Sequence, residues 1–419
     1  MARVAAQISN FTAGELSPRL DGRNDLAKYS AGCATVENMV IYPHGAAARR
    51  PGTQYVAEVK SSAAKTRLIP FEFSTTQTYI LELGNEYIRF YRDNGQILSS
   101  GSPYEISSPY LTAELFDIKF AQSADVMYIT HPSHKTRKLS RTGHTSWTLT
   151  EVDFTNGPYL DTNTSTTTIT ASAQTVGTGR TFTASANTFA STDVGRLVRF
   201  RDGYAKITAY TSATVVTVEI LKDTGATTAS TDWSLGAFSE TTGHPSCVSF
   251  FEQRLVFAAT LNNPQTVYFS RSGDYENMDA NIGGTVADDD AIIYTIASNQ
   301  VNAIRFMTAG RTLIIGTAGG EFTVSGGGDN DAVTPTNILI KKQSNHGAAN
   351  TDAIAVGNAT LFLQRAKRKI RELAYNFDVD GYTAPDLTIL AEHITEGGVT
   401  EMAYQEEPLA IIWCVRNDG

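Results

Sequence analysis

The sequence predicts a mainly β fold in which propeller-like repeats of about 50 residues follow one another along the chain. Three observations support this prediction. The 419 residues include 33 Gly, 18 Tyr and 19 Phe and are rich in Thr and Val, which are typical of strands and turns. Short stretches that alternate apolar and polar residues are separated by turn signals. The resulting strand–turn–strand unit then recurs along the chain.

Residues 1–65 are predicted to form a short N-terminal helical segment that serves in assembly. From Asp25 onward, apolar residues recur at three- and four-residue steps, which predicts one amphipathic helix. Its apolar stripe consists of Leu26, Tyr29, Cys33, Val36 and Val40. Pro43 breaks this pattern, and Pro51-Gly52 predicts a turn after it.

Six repeats account for residues 66–158 and 238–419. Their equivalent positions are Phe71, Phe120, Phe250, Phe306, Val356 and Tyr404, at intervals of 49, 130, 56, 50 and 48 residues. Four of the five intervals match one propeller blade, so the long one predicts an inserted segment. In the first repeat, Asn94-Gly95 predicts a hairpin turn. A β-sandwich with accidental regularity is the alternative.

Residues 159–237 are predicted to be an inserted small β domain. The stretch 161–192 contains 12 Thr and 4 Ser, which would also suit a mucin-like linker. Clean alternation from Val194 to Leu221, with a turn signal at Asp202-Gly203, favours a folded module. At the other end, the last hydrophobic strand stops at a turn signal, so we expect a truncated chain or an edge that pairs with another segment or subunit.

Composition excludes several classes of function. No run of about 18 apolar residues exists, so no membrane span is expected. The first residues contain no apolar core of signal-peptide length, which makes export unexpected. The three cysteines lie far apart, which argues against a disulfide framework. The formal net charge of −9 argues against a basic footprint that grips nucleic acid.

The sequence offers no convincing catalytic, cofactor or metal site. The motifs of serine hydrolases, zinc proteases and phosphate-binding loops are absent. His131 and His134 have a spacing that a metal could use, but no further pair follows, so a turn between strands is preferred. Asp288-Asp289-Asp290 lacks the ligand spacing of a calcium loop. The stretch Ser270–Met278 does not fit the repeated box of propeller glycosidases.

Two basic clusters stand out in this acidic chain. The larger one is a candidate contact for DNA or an acidic partner, or else a solvated hairpin tip. It consists of Arg365, Lys367, Arg368, Lys369 and Arg371. The smaller one, Arg49-Arg50, either binds carboxylates of a neighbouring subunit or points into solvent.

The N-terminal motifs resemble one protein family. The stretches FTAGELSPRL (Phe11–Leu20), GRNDLAKY (Gly22–Tyr29) and ARRPGTQYV (Ala48–Val56), with the spacing from Gly32 to Asn38, resemble the tail nozzle or tail tubular protein B family of short-tailed bacteriophages. Looser similarity covers Ser249–Thr260, Arg311–Phe322, Leu361–Tyr375 and Ala384–Ile394. The family extends past the point where this sequence stops, which agrees with the expected truncation.

The resemblance implies a structural virion protein without catalytic residues or cofactors. Such nozzles form homohexameric rings below the portal and its adaptor, carry fibre or spike proteins, and surround the channel through which double-stranded DNA leaves. An acidic lining suits that channel because it lets the duplex slide. The candidate assembly residues are Arg19, Arg23, Arg49 and Arg50.

Two alternatives remain open at this point. One is a carbohydrate- or receptor-binding propeller of a phage or bacterium, in which aromatic side chains stack on sugars. The other, supported less well by the motifs, is a propeller glycosidase. Hexameric rings favour the nozzle, whereas monomers whose thermal stability responds to glycans favour the receptor-binding protein.

Overall fold

The fold is described from a computed structural model that defines residues 8–297, 302–328 and 331–418. The chain divides into two compact units. Unit 1 combines Met1–Val56 with His346–Gly419, and unit 2 comprises Ala57–Asn345. The sequence had grouped residues 346–419 with the stretch that precedes them, whereas their contacts group them with the N-terminal segment.

The N-terminal part of unit 1 consists of very short elements. Strand β1 pairs with β2 in parallel, and β3 pairs with β4 antiparallel. These strands are β1 (Gly14–Glu15), β2 (Gly32–Cys33), β3 (Met39–Ile41) and β4 (Ala47–Arg49). Two single-turn 3₁₀ helices, Pro18–Leu20 and Tyr29–Ala31, lie between β1 and β2.

The amphipathic helix predicted from Asp25 is wrong. Its place is taken by successive tight turns, in which Leu26 N–H donates to Arg23 and Tyr29 N–H to Leu26. Gly32 ends this run in an extended conformation, with φ −111° and ψ 169°. A Cβ atom at Gly32 would lie 2.3 Å from Leu16 Cδ1, so a larger residue there would displace the buried Leu16 side chain.

Unit 2 begins with two antiparallel sheets. Sheet 1 has the order β11-β7-β6-β5, with β8 paired to β7 and a small hairpin β9–β10 beside them; sheet 2 runs β12-β13-β14-β15. The strands are β5 (Arg67–Ser74), β6 (Gln77–Gly84), β7 (Tyr87–Arg92), β8 (Gly95–Gln96), β9 (Leu98–Ser99), β10 (Ser102–Pro103), β11 (Glu105–Ser107), β12 (Lys119–Ser123), β13 (Val126–His131), β14 (His134–Gly143) and β15 (Ser146–Glu151).

One predicted turn in sheet 1 is displaced by a residue. Arg92 pairs with Gly95, so the central residues of the turn are Asp93 and Asn94 rather than Asn94 and Gly95. Both have positive φ, 52° and 58°. Asp and Asn tolerate positive φ, which a two-residue type I′ hairpin turn requires at both central positions.

A six-stranded sheet, the insert, follows sheet 2. Its order is β16-β17-β20-β19-β18-β21, and it encloses its own core, which includes Phe182, Phe200 and Val218. The strands are β16 (Ile169–Ala171), β17 (Gly177–Ala184), β18 (Leu197–Phe200), β19 (Gly203–Ser212), β20 (Val215–Lys222) and β21 (Trp233–Leu235), with a 3₁₀ turn at Ser191–Asp193. The stretch rich in Thr and Ser is therefore part of a folded β module.

Two further four-stranded antiparallel sheets complete unit 2. Sheet 3 runs β22-β23-β24-β25 and sheet 4 runs β26-β27-β28-β29. The strands are β22 (Cys247–Phe251), β23 (Arg254–Ala258), β24 (Thr266–Phe269), β25 (Ile292–Thr295), β26 (Ile304–Ala309), β27 (Leu313–Thr317), β28 (Gly320–Gly326) and β29 (Ile338–Ser344).

Unit 1 contains the last two sheets. Sheet 5 runs β30-β31-β32-β33, and sheet 6 is the pair β34–β35. The strands are β30 (Ile354–Val356), β31 (Ala359–Leu363), β32 (Ile370–Asn376), β33 (Gly381–Thr383), β34 (Val399–Gln405) and β35 (Ile411–Arg416), with a 3₁₀ turn at Phe377–Val379.

The sheets repeat in the manner of propeller blades. The six equivalent positions fall in the first strand of the six successive sheets: β5, β12, β22, β26, β30 and β34. First strands adjoin within each unit, β12 with β22, β22 with β26, and β30 with β34. Apolar cores fill the spaces between sheets 1 and 2, 2 and 3, 3 and 4, and 5 and 6. The mainly β, propeller-like fold with an inserted β domain is therefore confirmed.

Candidate assembly surface

All nine candidate residues for assembly or for contact with DNA or an acidic partner lie in unit 1. Arg19, Arg23, Arg49 and Arg50 belong to its N-terminal part, and the cluster from Arg365 to Arg371 spans the turn between β31 and β32. The two sets, which are more than 300 residues apart in sequence, are therefore parts of one compact unit.

The N-terminal segment is fastened to the residues before sheet 6. Ser17 N–H donates to the Leu390 carbonyl at 2.8 Å, and Ser17 Oγ donates to Glu392 Oε1 at 2.9 Å. Arg19 Nη1 lies 3.3 Å from the same carboxylate, although 83% of the Arg19 side chain is exposed. Arg19 therefore has an acidic partner within its own unit, and its exposed position still leaves other faces of its guanidinium accessible.

Glu15 provides a second attachment in the same place. Its carboxylate accepts a hydrogen bond from Val36 N–H at 2.6 Å and lies 2.9 Å from His393 Nε2. Burial acts to raise the pKa of Glu15, but the hydrogen bonds from Val36 and His393 outweigh it and hold this pKa below its ordinary value of 4.5. The ionised carboxylate therefore helps to hold the N-terminal segment in place.

The remaining N-terminal arginines differ in what they contact. Arg23 forms two hydrogen bonds with the exposed carboxylate of Asp25, at 2.8 and 2.7 Å. Arg49 at the end of β4 and Arg50 beside it are exposed, and neither guanidinium has a partner among the described residues. The pair Arg49–Arg50 therefore offers two adjacent positive charges to a partner.

The larger basic cluster is divided among several roles. Lys369 pairs with Asp386 at 3.0 Å, and Arg368 lies 3.9 Å from Glu396. Arg371 donates to Gln364 Oε1 at 2.9 Å and to the Ala384 carbonyl at 2.6 Å, so it holds the framework of sheet 5 together. Within this cluster, Arg365 and Lys367 alone have side chains with neither a hydrogen bond nor an ion pair among the described residues of unit 1.

Unit 1 also exposes several large apolar side chains, which no pattern in the sequence indicates. The segment 375–394, hereafter the apolar segment, leaves six large apolar side chains more than one third exposed. They are Tyr375 (51%), Phe377 (85%), Val379 (63%), Leu387 (48%), Ile389 (66%) and Ile394 (37%). Part of this segment, APDLTILAEHI, had been noted only for its similarity to the nozzle family.

Unit 2 contains a cleft of about 320 Å³ between the insert, sheet 2 and the segment that leads into sheet 3. Six of the ionisable side chains that line it contact one another in three pairs. Lys206 lies 2.7 Å from Asp153, Lys135 lies 3.1 Å from Glu151, and His244 lies 3.0 Å from Glu240. Of these contacts, only Lys206–Asp153 joins the insert to the residues that follow sheet 2, whereas the other two lie within sheet 2 and within the segment before sheet 3.

Comparison with known proteins gives little beyond the fold. No protein-family model matches the sequence, and no curated protein matches it. Among solved structures, a protein from Lactobacillus plantarum is 10% identical, with 75% of this chain and 82% of that chain covered and a TM-score of 0.33. The structure of YCF48 bound to a D1 peptide is also 10% identical, with 83% and 92% covered and a TM-score of 0.35. These scores are low, so the description of the fold rests on the sheets themselves. No helix in the described ranges is long and apolar enough to cross a lipid bilayer.

Proposed function

We propose that this protein is a structural subunit of a bacteriophage tail nozzle, in which six copies form a ring around a channel for DNA. The observation that carries the proposal is that unit 1 has both the exposed side chains of the apolar segment and the unpaired charges of Arg49 and Arg50. Large apolar side chains left exposed together are typical of surfaces that another protein covers. The N-terminal motifs that resemble nozzle proteins belong to the same unit.

Charge supports association with further copies of the chain. The chain has 43 acidic against 34 basic residues, so a neighbouring subunit has carboxylates to offer to Arg49 and Arg50. A contact between two different patches of identical subunits generates a closed ring when the rotation closes. The acidic balance also suits a channel wall, since like charge keeps a passing duplex from binding.

The proposal assigns mechanical rather than chemical work to the fold. Sheets that pack side by side form the wall, and the insert is a separate module attached to it. Unit 1 contacts neighbouring subunits and the portal adaptor, and the assembled ring carries fibre or spike proteins in the virion.

The experiment is electron microscopy and analytical ultracentrifugation of the purified chain at high concentration. We expect hexameric rings. Arg49→Glu with Arg50→Glu should abolish them while circular dichroism stays unchanged. The matched control is Arg365→Glu with Lys367→Glu, which reverses the same number of unpaired charges in unit 1 and should leave the rings intact.

A second pair of variants tests the apolar segment. Phe377→Ser should weaken ring formation, whereas Leu261→Ser, which alters a side chain of similar exposure in unit 2 (77% against 85%), should not. Monomers at every concentration, with a melting temperature that rises on addition of glycans, would instead support the receptor-binding alternative. Rings that form unchanged both with Arg49→Glu and Arg50→Glu together and with Phe377→Ser would contradict the proposed assembly residues.

A further inference from the structure

Sheet 2 contains a group of side chains suited to a metal ion. His131 ends β13 and His134 begins β14, and the two residues pair across a two-residue turn. The structure places Glu114, from the segment between β11 and β12, beside them. One nitrogen or oxygen atom from each of Glu114, His131 and His134 lies within 4.8 Å of the other two.

The carboxylate is held in place by the protein around it. Glu114 Oε2 accepts a hydrogen bond from Leu111 N–H at 2.8 Å and lies 2.9 Å from His134 Nε2. The residues just after it are fixed by Arg67, whose buried guanidinium donates to the carbonyls of Leu115 at 3.0 Å and Ile118 at 2.6 Å. The acid therefore reaches the histidines from a rigid segment rather than from a free loop.

Burial separates this group from ordinary surface histidines. His131 is 3% exposed, and its neighbour Tyr110 is fully buried. The Tyr110 ring packs edge-on against the His134 ring, with 5.3 Å between centroids. The Tyr110 hydroxyl has no hydrogen-bond partner among the described residues, so one polar group beside the histidines remains unsatisfied.

The distances suit a small transition-metal ion. Zinc binds imidazole nitrogen and carboxylate oxygen at about 2.0–2.2 Å, which in tetrahedral geometry separates the ligand atoms by about 3.4 Å. The pair at 2.9 Å must open by about 0.5 Å, and no pair must close by more than about 1.4 Å.

We propose that Glu114, His131 and His134 bind one divalent transition-metal ion, for which Zn²⁺ is the best fit. Two imidazoles and one carboxylate suit zinc, whereas calcium and magnesium prefer oxygen ligands alone. Three protein ligands leave a fourth position for water. The ion would connect the segment between β11 and β12 to the β13–β14 turn, and so link sheet 1 to sheet 2.

The test is a titration of the full chain, without a histidine tag and freed of metal by a chelator, with Zn²⁺ alone. Isothermal titration calorimetry should give one Zn²⁺ per chain, and thermal melting should show a higher melting temperature with Zn²⁺. Glu114→Gln keeps an acceptor for Leu111 N–H, and His134→Gln keeps a polar side chain. Each should weaken binding by roughly tenfold or more and reduce the thermal shift.

The matched control is His44→Gln, which removes an exposed histidine of unit 1 and should leave both readouts unchanged. The proposal is overturned if the unaltered chain binds no stoichiometric Zn²⁺ at micromolar concentration. It is also overturned if Glu114→Gln and His134→Gln bind Zn²⁺ as tightly as the unaltered chain. Circular dichroism of each variant shows whether it is folded, and the result for the unaltered chain stands without the variants.

Discussion

Asp193 and Arg196 form a buried ion pair whose removal should loosen the insert. Their atoms are 2.8 Å apart, and only 1% and 3% of the two side chains are exposed. Asp193 also accepts hydrogen bonds from Ala190 N–H at 2.8 Å and from Thr241 Oγ1 at 2.6 Å. Arg196 Nε donates to the Gly236 carbonyl at 2.8 Å. The pair thus joins the start of β18 to the residues that lead into sheet 3.

Asp193→Ala leaves the guanidinium of Arg196 buried without a counter-charge. Burial already lowers the pKa of Arg196 even though Asp193 opposes that effect, which shows how strongly this site disfavours an uncompensated charge. Breaking a buried pair from one side costs about 3–5 kcal/mol. We expect the free energy of opening of the insert strands β17, β19 and β20 to fall by that amount, as measured by hydrogen exchange.

The control is Asp153→Ala. Asp153 pairs with Lys206 at 2.7 Å, but 82% and 35% of the two side chains are exposed. Exposed pairs contribute at most about 1 kcal/mol, so this variant should change the exchange rates little. Adding Arg196→Met to Asp193→Ala should restore part of the lost stability, because it removes the buried charge. Equal effects of Asp193→Ala and Asp153→Ala would refute the reasoning.

Three other predictions concern the two units separately. Phe90→Ala should lower the free energy of unfolding of unit 2 by about 3–5 kcal/mol in urea denaturation, since the fully buried Phe90 ring stacks on Trp147 at 4.4 Å; a loss below about 1 kcal/mol would contradict this packing. The pKa of Glu15 is lowered in the folded state. Its contribution to stability is therefore complete above the ordinary value of 4.5 and is lost as pH falls through the folded-state pKa. Glu15→Gln should remove this contribution, so the stability of unit 1 should decline less steeply with acid in thermal melts. Arg371→Ala should destabilise sheet 5 by about 1–3 kcal/mol in thermal melts, because its hydrogen bonds to Gln364 and to the Ala384 carbonyl are lost. Lys367→Ala should change the stability by about 0.5 kcal/mol or less. The reverse order would show that Arg371 is not a framework residue.

Much of the fold could be predicted because strands with one buried face carry a strong period-two signal. Phe71 and Phe306, for example, are almost completely buried in the first strands of their sheets, and this burial is what makes the spacing of the repeats visible in the sequence. The prediction of an N-terminal helix was wrong because the corresponding burial is missing there. None of the five side chains of its apolar stripe, from Leu26 to Val40, is fully buried, so no apolar core selects a helix there.

The candidate sites were harder to predict, because each depends on contacts between distant residues. The spacing of His131 and His134 could be seen in the sequence. Glu114 comes 17 residues before His131 in an irregular segment, and no local sequence pattern indicates that it lies beside the histidines. Arg371 looked like part of a basic patch until its contacts with Gln364 and Ala384 were known. The exposure of Phe377 was likewise invisible, because the sequence does not say which apolar faces remain uncovered.

The two ends of the insert join the rest of unit 2 at neighbouring backbone positions. Leu160 N–H donates to the Leu235 carbonyl at 2.9 Å, and Ala237 N–H donates to the Pro158 carbonyl at 2.8 Å. A module whose two ends lie side by side can be deleted or replaced with little change to the rest of the fold. Residues 161–234 could be excised, or replaced by an unrelated small domain with adjacent termini, while a short linker closes the gap. Related chains could thus acquire new surface modules at this junction without redesigning the blades.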